Sequence, residues 1–423
     1  MNATVLRVPV RHARSPAPEP EFLRKRVDRY YRGRIEEDFD GGQIMVGRVP
    51  GPGAIQLVSN DYLRMGRHPE VIAAQRAVLA ESDAPVMAAV FLHGDSSQAR
   101  FEATMADWMQ AEATLLAQSG WAANTGLIQA IAAPETPCYI DMFAHASLWE
   151  GIQSAGATAF AFRHNSVEHL ERQIRRQGPG LIIVDSVYST SGSIAPLRDL
   201  VEVAERHGCV LIVDEAHSLG THGPQGRGLV VELGLAHRVH VRTASLAKAF
   251  AGRAGTIACS RRMAEYIKYY SNPAIFSSGL LPHEIAGLEA TQRLIVGADD
   301  RRQRLHANAD RLRAGLTELG YNLDLSRAQI LGLEAGPERR TIVLRDALES
   351  RGVFGSVFCA PATPKQRSLI RFTVHSELTE EELDRIIAVC AEIRDEVALD
   401  EWPSTRRRSR VPLNPPLAAV SNG

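Results

Sequence analysis

A chain of 423 residues, 45% hydrophobic and 23% charged, exceeds what one ordinary core fills and is expected to form a globule of two domains, or one large and one small. Its 48 basic and 49 acidic residues leave a net charge of −1, which gives no reason to expect nucleic acid or an anionic membrane as partner and points to a small molecule. Cys138, Cys209, Cys259, Cys359 and Cys390 lie far apart with no C-x-x-C, so neither a metal site nor a disulfide framework is expected, and a reducing cytoplasm is the default.

The chain starts with a stretch that lacks an apolar core of signal-peptide length, and no later run reaches the roughly eighteen apolar residues of a membrane span. Proline-rich "SPAPEP" (15–20) reads as an unstructured leader, and the charged segment 21–37 as a helix. Short apolar runs follow: "ATLLA" (113–117), "CYID" (138–141), "TAFAF" (158–162), "LIIVD" (181–185), "CVLIVDE" (209–215), "VHVRTA" (239–244) and "GTIAC" (255–259). They lack polar alternation and are separated by helical patterns such as "PLRDLVEVAERHG" (196–208), which predicts a parallel sheet covered on both faces. Beyond about residue 300 the pattern changes to long arginine-rich amphipathic helices around isolated strands such as "RSLIRFTVH" (367–375), so a smaller α+β domain is expected there. The tail "PSTRRRSRVPLNPPLAAVSNG" reads as disordered.

Only four basic residues are lysines (Lys25, Lys248, Lys268, Lys365), leaving 48 − 4 = 44 arginines. In "TASLAKAFAG" (243–252), Lys248 sits among small residues just after an apolar run. An arginine stays protonated, whereas a desolvated lysine can lose its proton and form a Schiff base. Ligands in open α/β sheets collect at the carboxyl ends of the strands, so the residues after each run are the ones to inspect. Gly120 and Trp121, at a helix start after 113–117, offer free N–H groups to a phosphate. His145 follows the next strand and could lie flat on an aromatic ring; Asp214 ends another, with His217 three residues on. Ser245 adds a hydroxyl next to Lys248. His217 and His222 near Asp214 could ligate a metal, but no H-x-x-x-H helix spaces them and no metal is expected. The glycines of "GTHGPQGRG" match neither a dinucleotide fingerprint nor a Walker loop. A lysine, a buried acid, a stacking imidazole and a phosphate cradle are the parts that pyridoxal phosphate requires.

The segments "SNDYL" (59–63), "SGWAAN" (119–124), "HASLWEG" (145–151), "DEAHSLGTHGPQGRG" (214–228), "TASLAKAF" (243–250) and "IRFTVHS" (370–376) resemble the signatures of the α-oxoamine synthases, pyridoxal-phosphate enzymes of the aspartate-aminotransferase fold (fold type I) that join an amino acid to an acyl-CoA. Within them the chain is most similar to the α-hydroxyketone-type quorum-sensing autoinducer synthases, through "DMFAHASLWEG", "GPGLIIVDSVYSTSGSIAPL", "NPAIFSSGLLP" and "GVFGSVFCAPAT". The glycine-rich stretch of other members, such as 8-amino-7-oxononanoate synthase and 2-amino-3-oxobutyrate CoA ligase, is replaced by "APVMAAVFLHGDSSQARFE" (84–102), where Val86, Met87, Val90, Phe91 and Leu92 suit an alkyl tail.

The resemblance implies an α/β fold with a large, mostly parallel sheet domain over 59–298, a leader and arm over 1–58, a smaller C-terminal domain over 299–398 and a tail over 399–423. It implies that Lys248 holds the cofactor, Asp214 faces its ring nitrogen, His217 its ring hydroxyl and His145 its face. Ser245, with the backbone of Gly120 and Trp121, would take the phosphate; Ser186 joins the cofactor set. Ser277 and Ser278 would reach the phosphate from the other subunit of a homodimer, and Asn60 with Arg371 would clamp the donor's carboxylate. The expected reaction condenses a medium-chain acyl-CoA with 2-aminobutyrate or S-adenosylmethionine.

Overall fold

The computed structural model describes residues 17–80 and 96–407. Its N-terminal unit, up to Gly47, holds a helix, Glu21–Tyr30, that widens without a break into a π-helical stretch, Tyr31–Glu37. The expected helix over 21–37 is therefore present. The unit from Arg48 onward contains both sheets.

Eleven strands are found among the described residues. In chain order they are β1 (Ile55–Leu57), β2 (Ala113–Ala117), β3 (Pro137–Asp141), β4 (Thr158–Phe162), β5 (Leu181–Asp185), β6 (Val210–Asp214), β7 (Val241–Ser245), β8 (Gly255–Cys259), β9 (Ile330–Gly336), β10 (Val353–Phe358) and β11 (Ser368–Thr373). Strands β2 to β8 form one sheet in the order β2-β8-β7-β6-β5-β3-β4. Each apolar run of the sequence became one of these strands; the inner strands are covered on both faces, while the edge strand β4 is mostly exposed. On β5, Ile182 and Val184 pack with Leu200, Val201 and Ala204 on one side, while Leu181 and Ile183 pack with Leu127, Ile128 and Leu148 on the other.

One strand departs from the parallel expectation: β8 runs antiparallel to both β7 and β2. The connection from β7 is only residues 246–254, too short for a crossover helix, so the chain has to return beside its own strand.

The smaller sheet has the order β1-β10-β11-β9. Its first strand comes from the other end of the chain: Ile55–Leu57 pairs parallel with Val353–Gly355. A core of Leu305, Leu312, Leu316, Leu344, Ile370, Phe372 and Ile386 packs the helices Asp299–Glu318 and Glu380–Glu392 together with this sheet. The tail expectation is corrected over 399–407. Trp402 is buried, edge-on to Tyr321 at 5.6 Å, and donates its indole N–H to Val397, because a large apolar ring next to an open core is driven inside. Among the described residues no helix is long and apolar enough to cross a membrane.

Candidate active site

The carboxyl ends of the parallel strands build the site. After β2, Ser119 caps the helix Gly120–Ile131 by accepting from the Ala122 N–H at 3.1 Å. The N–H groups of Gly120 and Trp121, first in the helix, then have no carbonyl partner within it. A side chain at Gly120 would bring its Cβ to 2.5 Å from Cβ of Ser245, and one at Gly255 would come within 2.3 Å of the Ser119 carbonyl oxygen. Glycine at both positions lets the helix start pass over β8 and reach the end of β7. An anion placed there meets backbone N–H groups, the positive helix end and a serine hydroxyl.

Asp214 ends β6, buried, with Oδ1 accepting from the Ala216 N–H at 2.8 Å and Oδ2 from Nδ2 of Asn124 at 2.7 Å. Asn124 also donates to Oγ of Ser147 at 2.9 Å, and that hydroxyl lies 2.8 Å from Nδ1 of His145. His145 stands at the start of the helix Ala146–Ser154, with the Trp121 ring edge-on to it at 6.0 Å. Burial lowers the proton affinity of His145, Asp214 opposes this and Lys248 reinforces it. Register places Asp185 directly beside Asp214, and burial first, then the Asp214 charge, push the Asp185 carboxyl well above the usual range. Asp185 is thereby driven to keep its proton.

His217 is buried on the turn after β6, and Nδ1 lies 2.5 Å from the hydroxyl of Tyr62. Burial holds the imidazole well below its ordinary range, with Lys248 and Arg371 adding to the effect, and burial raises the Tyr62 phenol. Both groups are therefore neutral, and because a phenol is the better donor and a bare imidazole nitrogen the better acceptor, we assign the O–H as donating to Nδ1, which leaves the hydrogen on Nε2. Lys248 lies three residues beyond β7, and among the described residues its amine forms no hydrogen bond or ion pair. Burial lowers its affinity for a proton, Arg371 lowers it further, and Asp214 pulls the other way.

Arg371, on β11, donates to Oδ1 of Asn60 at 3.2 Å and to the Ser189 carbonyl at 2.9 Å, with its guanidinium 4.5 Å above the Phe358 ring. Its Nε is buried without a partner. The fork therefore has an open donor, the feature a carboxylate needs.

Not every expected residue joins this group. Ser186 is fully buried, and its hydroxyl donates to the Asp214 carbonyl at 3.0 Å and pairs with Ser218 at 2.9 Å, so it ties β5 to β6 rather than turning to a ligand. Ser277 is exposed and bonds the Pro273 carbonyl; the Ser278 carbonyl accepts from Gln118 at 2.7 Å. His222 packs edge-on against His306 at 5.0 Å. The apolar residues 86–92 lie outside the described residues. Two members of the group were missed by sequence reasoning. Tyr62 sits two residues after Asn60, and Asn124 one helical turn after Gly120, a spacing that puts it on the same helix face.

The family model "Aminotransferase class I and II" matches residues 52–389. A CAI-1 autoinducer synthase of Vibrio campbellii is 48% identical over 376 residues, 89% of this chain and 95% of that protein. An 8-amino-7-oxononanoate synthase of Anaeromyxobacter dehalogenans is 34% identical over 363 residues, 85% of this chain and 91% of that one. The chain is an α-oxoamine synthase of the class I and II aminotransferase family. Two solved structures carry the same fold. SPT with its PLP internal aldimine superposes with a TM-score of 0.82 at 26% identity, covering 89% of this α-oxoamine synthase and 99% of that chain. Serine palmitoyltransferase of Sphingomonas wittichii gives 0.79 at 25% identity, covering 89% and 97%. An α-oxoamine synthase is a pyridoxal-phosphate-dependent acyltransferase, and the residues here fit that cofactor: a desolvated amine without a partner, a buried acid, and a phosphate cradle that a single Cβ would fill.

Proposed function

We propose that the protein makes an amino-ketone precursor of a quorum-sensing autoinducer by condensing a medium-chain acyl-CoA with 2-aminobutyrate or S-adenosylmethionine. The observation that carries this reading is the 48% identity to a CAI-1 autoinducer synthase across 89% of the chain, against 34% to an 8-amino-7-oxononanoate synthase.

Bound pyridoxal phosphate supplies a carbonyl that accepts an amine and an electron sink for the carbanion at the donor's Cα. Lys248 would hold the cofactor and would serve as the base that takes the donor's Cα proton; its lowered proton affinity fits both tasks. Asp214 presents a carboxylate fixed by Asn124 and Ala216 to the ring nitrogen. His217, neutral, donates from Nε2 to the ring hydroxyl. The free Nε of Arg371, beside Asn60, receives the donor's carboxylate. A carbon–carbon bond would then form between the donor's Cα and the acyl carbon as CoA leaves, and loss of the donor's carboxylate as CO2 would give the amino-ketone.

We assign the working unit as a homodimer in the cytoplasm. Tyr269, Tyr270 and Phe276 are 67%, 59% and 80% exposed in a single copy, a group of rings that a second copy would cover next to Ser277 and Ser278. The five cysteines are free and buried, as suits a reducing compartment.

Initial rates with acetyl-, hexanoyl-, octanoyl-, decanoyl- and dodecanoyl-CoA against both donors test the reading. Each buried methylene contributes about 0.8 kcal/mol, so kcat/KM should rise roughly tenfold per two carbons until the pocket is full. A preference for acetyl-CoA or for an acid-terminated acyl group would refute it.

A further inference from the structure

Among the described residues, Asn124 hydrogen-bonds both the acid at the end of β6 and the hydroxyl beside His145. Its Nδ2 lies 2.7 Å from Oδ2 of Asp214 and 2.9 Å from Oγ of Ser147, while its Oδ1 is buried with no partner. The orientation of the amide follows from this. Turned over, it would set Oδ1 against Oδ2 of Asp214, oxygen facing oxygen, so both hydrogens of the amide are committed to Asp214 and Ser147. The hydroxyl hydrogen of Ser147 is then left to point at His145, 2.8 Å away. The Ser147 backbone N–H reaches the same Nδ1 only at 3.3 Å, a weaker contact than the hydroxyl's 2.8 Å, so the hydroxyl is the donor that decides. Nδ1 of His145 is therefore an acceptor, and its hydrogen resides on Nε2.

We propose that Asn124 is a positioning residue: through Asp214 on one hydrogen and Ser147 on the other, it makes the ring-nitrogen acid and the stacking imidazole one rigid unit and keeps His145 as the neutral Nε2–H tautomer. An uncharged imidazole can lie on a cationic ring without repelling it, while the same amide steadies the carboxylate that keeps that ring cationic. A lone buried oxygen on Asn124 is the cost of committing both hydrogens. This role rests on the pyridoxal-phosphate chemistry of the family. The groups that face His145 are Asp214 from β6, Lys248 after β7, Asp185 from β5 through the His145 backbone N–H at 3.3 Å, and His217.

The full chain with histidine 15N labelling provides the test, with and without pyridoxal phosphate, the His145 signals being assigned by their loss in His145→Phe. In the parent chain both ring nitrogens should show the neutral Nε2–H pattern across pH 6 to 8, a range about the ordinary histidine value. Asn124→Ala frees the Ser147 hydroxyl to accept from Nδ1, so the pattern should shift toward the other tautomer or the charged ring. The double variant Asn124→Ala, Ser147→Ala, with no hydroxyl left to accept from Nδ1 and only the backbone N–H beside it, should return toward the Nε2–H pattern, and Ser147→Thr, which keeps a hydroxyl, should behave as the parent. With cofactor, Asn124→Ala should lower kcat about tenfold with the donor KM little changed, the usual scale for a residue acting through another. Unchanged His145 signals in Asn124→Ala would overturn the proposal even if the variant were less stable or less active. Loss of cofactor binding in the parent chain would instead overturn the functional reading and leave the tautomer measurement standing.

Discussion

The phenol of Tyr62 donates to Nδ1 of His217 across 155 residues of sequence at 2.5 Å. The contact joins the segment after β1 to the turn after β6, and it decides which nitrogen of His217 carries a hydrogen. Tyr62→Phe keeps the ring and removes the donor, leaving a buried imidazole nitrogen unsatisfied at a cost of about 1–3 kcal/mol. A lower urea midpoint and a changed pH dependence of the bound cofactor's absorbance are expected. An unaltered pH profile would show that His217 does not depend on this donor.

Gly120→Ala addresses the phosphate cradle. A Cβ there would meet Cβ of Ser245 at 2.5 Å and Cα of Ser245 at 2.9 Å, and the second contact is backbone that cannot swing away. Affinity for pyridoxal phosphate by equilibrium dialysis should fall at least about tenfold, a loss of roughly 1.4 kcal/mol, while circular dichroism of the cofactor-free chain is retained. Equal affinity would move the phosphate elsewhere.

Arg371→Lys replaces a planar fork by a point charge. The lysine cannot serve Asn60, the Ser189 carbonyl and a carboxylate together, and loss of one charged hydrogen bond costs about 1.5–3 kcal/mol. The donor's KM should rise with acyl-CoA KM and the cofactor spectrum unchanged. A parallel loss for acyl-CoA would assign the arginine to a different substrate.

Two buried histidines outside the site set an acid limit to stability. Burial, with His306 adding to it, holds His222 down to about 3, and burial with Arg64 does the same to His375, against an ordinary 6.5. Between those values the unfolded chain takes up the proton and the folded chain does not. Stability is therefore complete above the unfolded value and falls as pH falls, by up to about 1.4 kcal/mol per pH unit for each histidine. His222→Gln should flatten the dependence of the urea midpoint on pH across this window. An unchanged slope would mean that His222 opens to water before the chain unfolds.

The large sheet was legible because "LIIVD" and its counterparts run apolar residues together without polar alternation, the pattern of strands buried on both faces, as β5 is. Strand direction was not legible from the runs themselves: "GTIAC" reads alike either way, and only the short 246–254 connection records its reversal. Lys248, Asp214 and His145 stood out because each follows a strand. Asn124 did not, since its partner Asp214 is 90 residues away and an asparagine inside a helix has no local mark of purpose. Ser186 follows a strand too, and nothing in the sequence shows that its hydroxyl engages the Asp214 carbonyl and Ser218.

The parallel pairing of Ile55–Leu57 with Val353–Gly355 has a consequence for biosynthesis. Asn60 emerges from the ribosome early and must wait for Arg371, 311 residues later, on a strand that flanks β10. A nascent chain that has completed the seven-stranded sheet holds Lys248, Asp214 and the phosphate cradle, yet lacks the clamp for the donor. The Asn60–Arg371 contact is thus among the last parts of the site that synthesis can complete, whatever the order in which the large sheet forms.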